Sequence, residues 1–315
     1  MATSVADFNF ALKMIALSFK ARVRLVRNGD KYTYTTKYLG FNKSDTFKLG
    51  EEENITTTDG RKVKVVYTMD GNTLTEKQTG EKSLTWSEMA SKPILYYINR
   101  SPPCRAVLMA AKYIGVELDL KIIDSRKGEN RTPQFLKMNP QHTVPVLDDN
   151  GALILDSHAI CSYLSEKYAK DDKLYPKDLV KRALVDARLH FDTGFLFARL
   201  RAFVEPIFYF GCTEISQERS DYFKMTLPIV EAFLENCQYV CGNDITLADF
   251  CFISTLSSVD RIIGIDAEKY PKTTDWMRRM SQLPDYENLN GEGASILQDA
   301  ILAKIKENQE AAKSN

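Results

Sequence analysis

The sequence predicts a small α/β domain followed by an all-helical one, with a strand-rich antiparallel segment ahead of both. Three observations carry this reading. Residues 22–86 alternate apolar and polar side chains and are rich in Thr, Tyr and Val. They also hold the turn dipeptides Asn28-Gly29, Asp59-Gly60 and Asp70-Gly71, the pattern of antiparallel hairpins. After Met89, short apolar runs and helical patterns take turns. From Lys177 to about Ile305 the helical period runs almost unbroken, with a proline and several glycines as interruptions.

Taken in order, Phe8–Ala21 reads as a short amphipathic or buried helix ahead of the hairpins. Ile94–Tyr97 is a short buried strand. Pro102-Pro103 opens a helix to about Tyr113, because proline suits the first helical turn. Leu118–Ile123 is a second strand, Thr132–Lys137 a helical turn and Thr143–Asp148 a third strand. Asp149-Asn150-Gly151 is a hairpin turn, Leu153–Leu155 the fourth strand and Ser157–Tyr168 a helix. Strand-helix-strand, hairpin, helix is the order of a thioredoxin-like fold. Domains are therefore expected at 1–88, 91–171 and 177–305.

Composition narrows the function classes. The chain has 315 residues, with lysine plus arginine at 42 and aspartate plus glutamate at 42. That balance offers no electrostatic footing for nucleic acid or an anionic membrane. No run reaches the roughly 18 apolar residues of a membrane span. Phe8–Phe19 is apolar, but its basic residues follow it and Lys13 interrupts it, so it makes a poor secretory signal. The six cysteines lie far apart, mostly in apolar helical patterns, with the Cys237-x3-Cys241 pair as the nearest approach to metal spacing. Reduced thiols in a cytoplasmic protein, with no metal, are the expectation.

Three short segments carry chemistry: SPPC at 101–104, NPQHTVPVL at 139–147 and DSHAI at 156–160. Each alone has a bland reading. Ser101 before two prolines is usually an N-cap, Val144-Pro145 an ordinary turn proline, and Asp156-Ser157 another cap. Their order changes this. In a thioredoxin-like fold the first strand-to-helix turn, the residues before the third strand and the turn before the third helix meet at one cleft. Together they offer a hydroxyl, backbone N–H and C=O groups beside a cis proline, and a carboxylate at a helix N-terminus. A ligand with a thiol, a peptide backbone, an amine and carboxylates would match all three.

KPILYYINRSPPCRAV, LKMNPQHTVPVLDDNG and LDSHAI together resemble the glutathione-binding domain of insect delta/epsilon glutathione transferases. NDITLADF (243–250) resembles the capping motif of the same superfamily's helical domain, and LFARLRAFVEPIFYFG (196–211) is similar to the epsilon class. The resemblance covers Ser91 to about Ala300. It implies conjugation of glutathione to small hydrophobic electrophiles, with hydroperoxide reduction as a second activity, by a homodimer. Ser101 would donate its O–H to the glutathione sulfur, helped by the helix begun at Pro102, because the thiolate is the nucleophile. His142 would contact the glycyl end, with Thr143 beside it, and Val144 would pair with the cysteinyl unit next to cis-Pro145. Asp156 and Ser157 would meet the γ-glutamyl amine and carboxylate, with His158 at the same end. The family more often has Glu where Asp156 stands. Arg199, Phe203 and Phe208, with Leu196 and Tyr209, would line the electrophile pocket, although apolar stripes at helical spacing usually pack. Thr246-Leu247-Ala248-Asp249 reads as a capping box, so Asp249 is expected to be structural.

FKLGEEENITTTDGRKVKVVYTMDGNTL, with NGDKYTYTTKY before it, is similar to the mid-barrel of cytoplasmic fatty-acid-binding proteins. The resemblance implies a partial antiparallel β-barrel in residues 1–88 and a fatty acid or retinoid as ligand. The family's anchoring Arg and Tyr lie on strands this segment lacks. A cut barrel leaves unpaired edges, and MASKPILYY reads as the start of a free-standing transferase. A gene-model or readthrough join at Met89 is thus favoured over a genuine lipid-binding fusion. The rival functions are a non-catalytic carrier of hydrophobic ligands and a thiol transferase working through Cys104.

Overall fold

The computed structural model describes residues 22–38, 41–56, 62–70, 73–79 and 92–314. The helix expected over 8–21 lies outside the described residues, as does the Asp59-Gly60 turn. The chain divides near Pro93 into two compact units.

The first unit holds two antiparallel meanders. Strands β1 (Arg22–Asn28), β2 (Lys31–Tyr38) and β3 (Phe41–Lys48) form one three-stranded sheet. Strands β4 (Glu52–Thr56), β5 (Lys62–Asp70) and β6 (Thr73–Thr79) form another. The β1–β2 pairing ends at Asn28↔Lys31, so the turn is Gly29-Asp30, and Gly29 takes φ 68, a value glycine adopts without a Cβ clash. Phe47, Val65 and Tyr67 are the buried apolar cluster among these described residues. The Phe47 and Tyr67 rings stack with centroids 3.9 Å apart.

The second unit begins with β7 (Ile94–Tyr97) and α1 (Pro102–Ile114), which crosses to β8 (Asp119–Ile122), parallel to β7. Pro102-Pro103 start α1, and Gly115 at φ 83 ends it, with Val116 N–H returning to the Ala111 carbonyl at 3.0 Å. Helix α2 (Pro133–Met138) is capped by the Thr132 hydroxyl. Strands β9 (Val146–Asp149) and β10 (Ala152–Leu155) are joined by Asn150 and Gly151, both left-handed, and complete a sheet of order β10-β9-β7-β8. Helix α3 (Ser157–Tyr168) follows. The strand-helix-strand, hairpin, helix order read from the sequence is present. The third strand starts at Val146 because Pro145 has no N–H to give a ladder.

The rest is helical: α4 (Leu179–Phe191), a π turn (Asp192–Leu196), α5 (Phe197–Tyr209), α6 (Gln217–Lys224) and α7 (Leu227–Phe233). Then come α8 (Leu247–Leu256), α9 (Asp260–Ile263), α10 (Pro271–Ser281), a second π turn (Glu287–Gly291) and α11 (Glu292–Lys313). Helix α8 is apolar all round and every residue of it is buried, the mark of a central helix. Its start is held by the expected capping box. Asp249 Oδ2 accepts from Thr246 N–H at 2.8 Å, while Oδ1 accepts from Val240 N–H and Trp276 Nε1–H, both at 3.0 Å. Asp249 thus ties α10 and the 240 loop to α8.

Arg105, fully buried on α1, joins α1 to the helical domain. It donates to the Ser254 carbonyl at 3.0 Å, the Ser258 hydroxyl at 2.5 Å and the Asn290 carbonyl at 3.2 Å. Burial lowers its affinity for its proton to a pKa of about 10. Backbone approaches so closely here that a Cβ on Gly293 would stand 2.4 Å from the Asn99 carbonyl oxygen.

Candidate functional site

Ser101 occupies the N-cap position of α1 with φ −76 and ψ 119, yet its side chain makes no capping hydrogen bond. Its backbone N–H is anchored on the Ile98 carbonyl at 3.0 Å. The Cys104 sulfur lies nearby, and Ser101 and the Ile98 backbone both favour its thiolate. A serine hydroxyl beside a helix N-terminus has the chemistry a thiolate needs. Cys104 itself is fully buried, and burial pushes its thiol up to about 11 despite both.

The second segment is a turn shaped by its own side chains. His142 is left-handed at φ 49. Asn139 Nδ2 donates to the Thr143 carbonyl at 2.9 Å and to its hydroxyl at 3.0 Å, and Asn130 Nδ2 holds the His142 carbonyl at 2.8 Å. Val144-Pro145 is cis. Pro145 is buried, Val144 and His142 are half-buried, and Thr143 is exposed.

Asp156 begins α3 with φ 70, a conformation that costs an L residue on the order of 1–3 kcal/mol. Its carboxylate offsets this by capping the helix, accepting from His158 N–H at 2.9 Å and Ala159 N–H at 3.3 Å. The side chain stays 57% exposed, free to meet a ligand. Ser157 is buried beside it. The β9–β10 hairpin sets the end of β10 beside the start of β9, so 142–145 and 156–158 share one end of the sheet. Ser101 follows β7, which borders β9.

His158 is the electrostatic centre of this end. Its Nε2 lies 2.9 Å from Asp192 Oδ2, and its Nδ1 lies 3.0 Å from Thr193 Oγ1 and 3.4 Å from Asp156 Oδ1. The Thr193 hydroxyl hydrogen is given to the Leu189 carbonyl at 3.2 Å, so toward His158 it accepts. Both ring nitrogens thus face acceptors, the setting that favours an imidazolium. Burial would pull its pKa down, but hydrogen bonds and charge from Asp156 and Asp192 outweigh it and carry it up to about 10. Asp192, almost fully buried, also accepts from the Thr255 hydroxyl at 3.0 Å. Burial pushes its carboxyl up, whereas its two donors favour the carboxylate. The hydrogen bond from His158 holds Asp156 below the usual carboxylate range.

Asp192, Thr193 and Thr255 were not among the residues expected from sequence. The one signal was a carboxylate inside a strongly apolar helical stretch, since a buried acid demands a partner.

Leu196 ends the π turn that holds Asp192, and the other expected pocket residues follow on α5. Leu196 and Phe203 are buried in the helical core, and Phe208 is half-buried against it. Arg199 is buried between the Phe195 and Tyr222 rings, its guanidinium carbon 3.4 and 4.5 Å from their centroids. Among the described residues its Nη1 has no hydrogen-bond partner. Tyr209 and Phe210, by contrast, are exposed at the end of α5, and the Tyr209 side chain interacts electrostatically with Arg100, next to Ser101. A cavity of about 420 Å³ lies elsewhere, lined by Asp221, Lys224, Leu227, Gly264 and Lys269, and holds none of the expected residues.

Two family descriptions match the chain: "Glutathione S-transferase, N-terminal domain" over residues 95–172 and "Glutathione S-transferase, C-terminal domain" over 215–284. Glutathione S-transferase 1 of Manduca sexta is 41% identical over 214 residues, 67% of this chain and 98% of that protein. Glutathione S-transferase D7 of Anopheles gambiae is 38% identical over 218 residues, 68% of this chain and 99% of its own. Among solved structures, an epsilon-class glutathione S-transferase from the housefly Musca domestica is 42% identical with a TM-score of 0.66, covering 68% of this chain and 98% of its own. A glutathione transferase homologue from a Drosophila species, solved with bound glutathione, is 48% identical with the same TM-score of 0.66, covering 68% and 97%.

Proposed function

Since this chain belongs to the glutathione S-transferase family, with relatives of the insect delta and epsilon kinds, we propose that it joins the sulfur of glutathione to small hydrophobic electrophiles, with Ser101 holding that sulfur as thiolate. The single observation that carries the mechanism is the uncommitted Ser101 hydroxyl at the head of α1. A glutathione sulfur at the same turn would accept its hydrogen bond and meet the partial positive charge of the helix. Donors and helix N-termini pull a thiol from about 8.5 toward or below neutral.

The remaining contacts follow from the groups each segment offers. The exposed Asp156 carboxylate suits the γ-glutamyl amine, and Ser157 with the α3 N-terminus suits its carboxylate. His158 keeps Asp156 ionised and aimed. The Val144 peptide beside cis-Pro145 suits the cysteinyl backbone, with Thr143 next to it and His142 toward the glycyl end. For the electrophile, the exposed pair Tyr209 and Phe210 beside Arg100 is better placed than Phe203, and Phe208 lies between them in sequence. Arg199 supports that helix from behind by stacking. Hydroperoxide reduction, a homodimer and a cytoplasmic location are carried by family resemblance.

The thiol-transferase alternative is disfavoured by Cys104, which is buried and keeps its proton to about pH 11. The deciding experiment is glutathione-dependent conjugation of a chlorinated aromatic by the wild type and Ser101→Ala. Losing the hydroxyl is expected to remove a charge-assisted bond of roughly 1.5–3 kcal/mol, about tenfold to a hundredfold in rate. The near-ultraviolet absorbance of bound thiolate should fall with it. An undiminished rate in Ser101→Ala would end this mechanism.

A further inference from the structure

Three elements of the second unit bring metal-ligating groups to one buried point. A ring nitrogen of His158 on α3, a carboxylate oxygen of Asp192 on the π turn and Cys251 Sγ on α8 all lie within 4.8 Å of one another. Cys161, one turn along α3 from His158, lies near Cys251 but outside this trio. Cys161, Cys251 and Asp192 are at most 3% exposed. Imidazole, carboxylate and thiol form a mixed nitrogen, oxygen and sulfur set that suits a four-coordinate, borderline-soft cation with one position left open.

We infer that His158, Asp192 and Cys251 form a binding site for a thiophilic divalent cation of the Zn²⁺ class. Donors about 2.0–2.3 Å from a tetrahedral ion stand roughly 3.3–3.8 Å apart, so closure asks for side-chain shifts on the order of 1 Å and no backbone rearrangement. Binding would release the thiol proton, because a coordinating thiol is deprotonated outright. His158 can present Nε2 to the metal and keep its Nδ1 proton on Thr193 or Asp156. Bonds to the ion would then replace the proton-mediated link that now ties α3 to the π turn and add a direct tie to α8. The inference leaves the role proposed for Ser101 untouched and shares His158 with the one proposed for Asp156.

The test is Co²⁺ titration of the full-length protein without glutathione, whose own thiol would take the metal. Expected is a near-ultraviolet thiolate-to-cobalt band with visible absorption of tetrahedral intensity, abolished by adding Zn²⁺. Cys251→Ala should lose the band, whereas Cys161→Ala should keep it. A double variant, Cys237→Ala with Cys241→Ala, should keep it in full, separating this site from the other cysteine pair. If circular dichroism shows Cys251→Ala to be unfolded, Cys251→Ser gives the same reading. No thiolate band in the wild type, a band that survives removal of Cys251, or one that vanishes with Cys237 and Cys241 would overturn the proposal.

Discussion

Cys104 and Ser101 stand one helical turn apart, and burial assigns them opposite parts. Ser101 is half-buried and its hydroxyl caps nothing, whereas Cys104 is sealed beneath it. Because its hydroxyl caps nothing, Ser101→Ala is expected to lower turnover without lowering the melting temperature, and differential scanning calorimetry alongside the rate assay checks that separation. The pH behaviour of Cys104 follows from the direction of its shift. Its folded pKa is raised from 9.0 to about 11, so the folded chain keeps a proton that the unfolded chain sheds. The resulting stabilisation is fully present below pH 9.0 and is lost as pH rises through about 11. Alkylation at about pH 9, mapped by mass spectrometry, should leave Cys104 unmodified in folded protein and label it once denatured. At Asp156, the left-handed backbone is offset by the capping bonds. Asp156→Asn can keep those bonds while losing the charge, so KM for glutathione should rise by roughly tenfold or more while the melting point stays.

At the scale of elements, α8 and its cap organise the helical domain. Asp249 accepts from Thr246, Val240 and Trp276 at once, all buried. Removing the carboxylate in Asp249→Ala leaves those donors unsatisfied, at about 1–3 kcal/mol each. A loss of at least about 2 kcal/mol is therefore expected in urea unfolding, even though the residue is remote from Ser101. Catalysis per folded molecule should be unchanged, which distinguishes a structural aspartate from a catalytic one. Capping was legible in advance because its partners are three residues apart. The ties from Asp249 to Trp276 and from Arg105 to Ser254, Ser258 and Asn290 were not, since they join residues far apart in the chain.

Across the whole molecule, the two units carry cores of very different extent. The second packs a continuous apolar core from Leu95 to Ile301, whereas the described core of the first is Phe47, Val65 and Tyr67 with a few half-buried neighbours. A domain with its own core folds and works alone. A chain starting at Met89 should thus retain glutathione-dependent conjugation with unchanged kcat and KM, and its failure to fold or turn over would show that the first unit is needed. Nearly the whole length of the matched relatives is covered by about two thirds of this chain.

Local chemistry written in neighbouring residues was readable from the sequence: Pro102-Pro103 opening α1, Asn150-Gly151 closing a hairpin, Thr246 and Asp249 boxing α8, and the strand and helix order that makes the sheet. The segments 101–104, 139–147 and 156–160 were likewise legible, because each announces itself by turn residues and a polar group before a helix or strand. Only the tertiary structure decided which side chains spend their hydrogen bonds on one another. It seated Asp192 under His158, turned Phe203 into the core and Tyr209 outward, and set Cys161 against Cys251. Propensity and capping act over about four residues, so a sequence displays them. A buried charge is partnered across whatever helices happen to pack, and that choice exists only once the chain has folded.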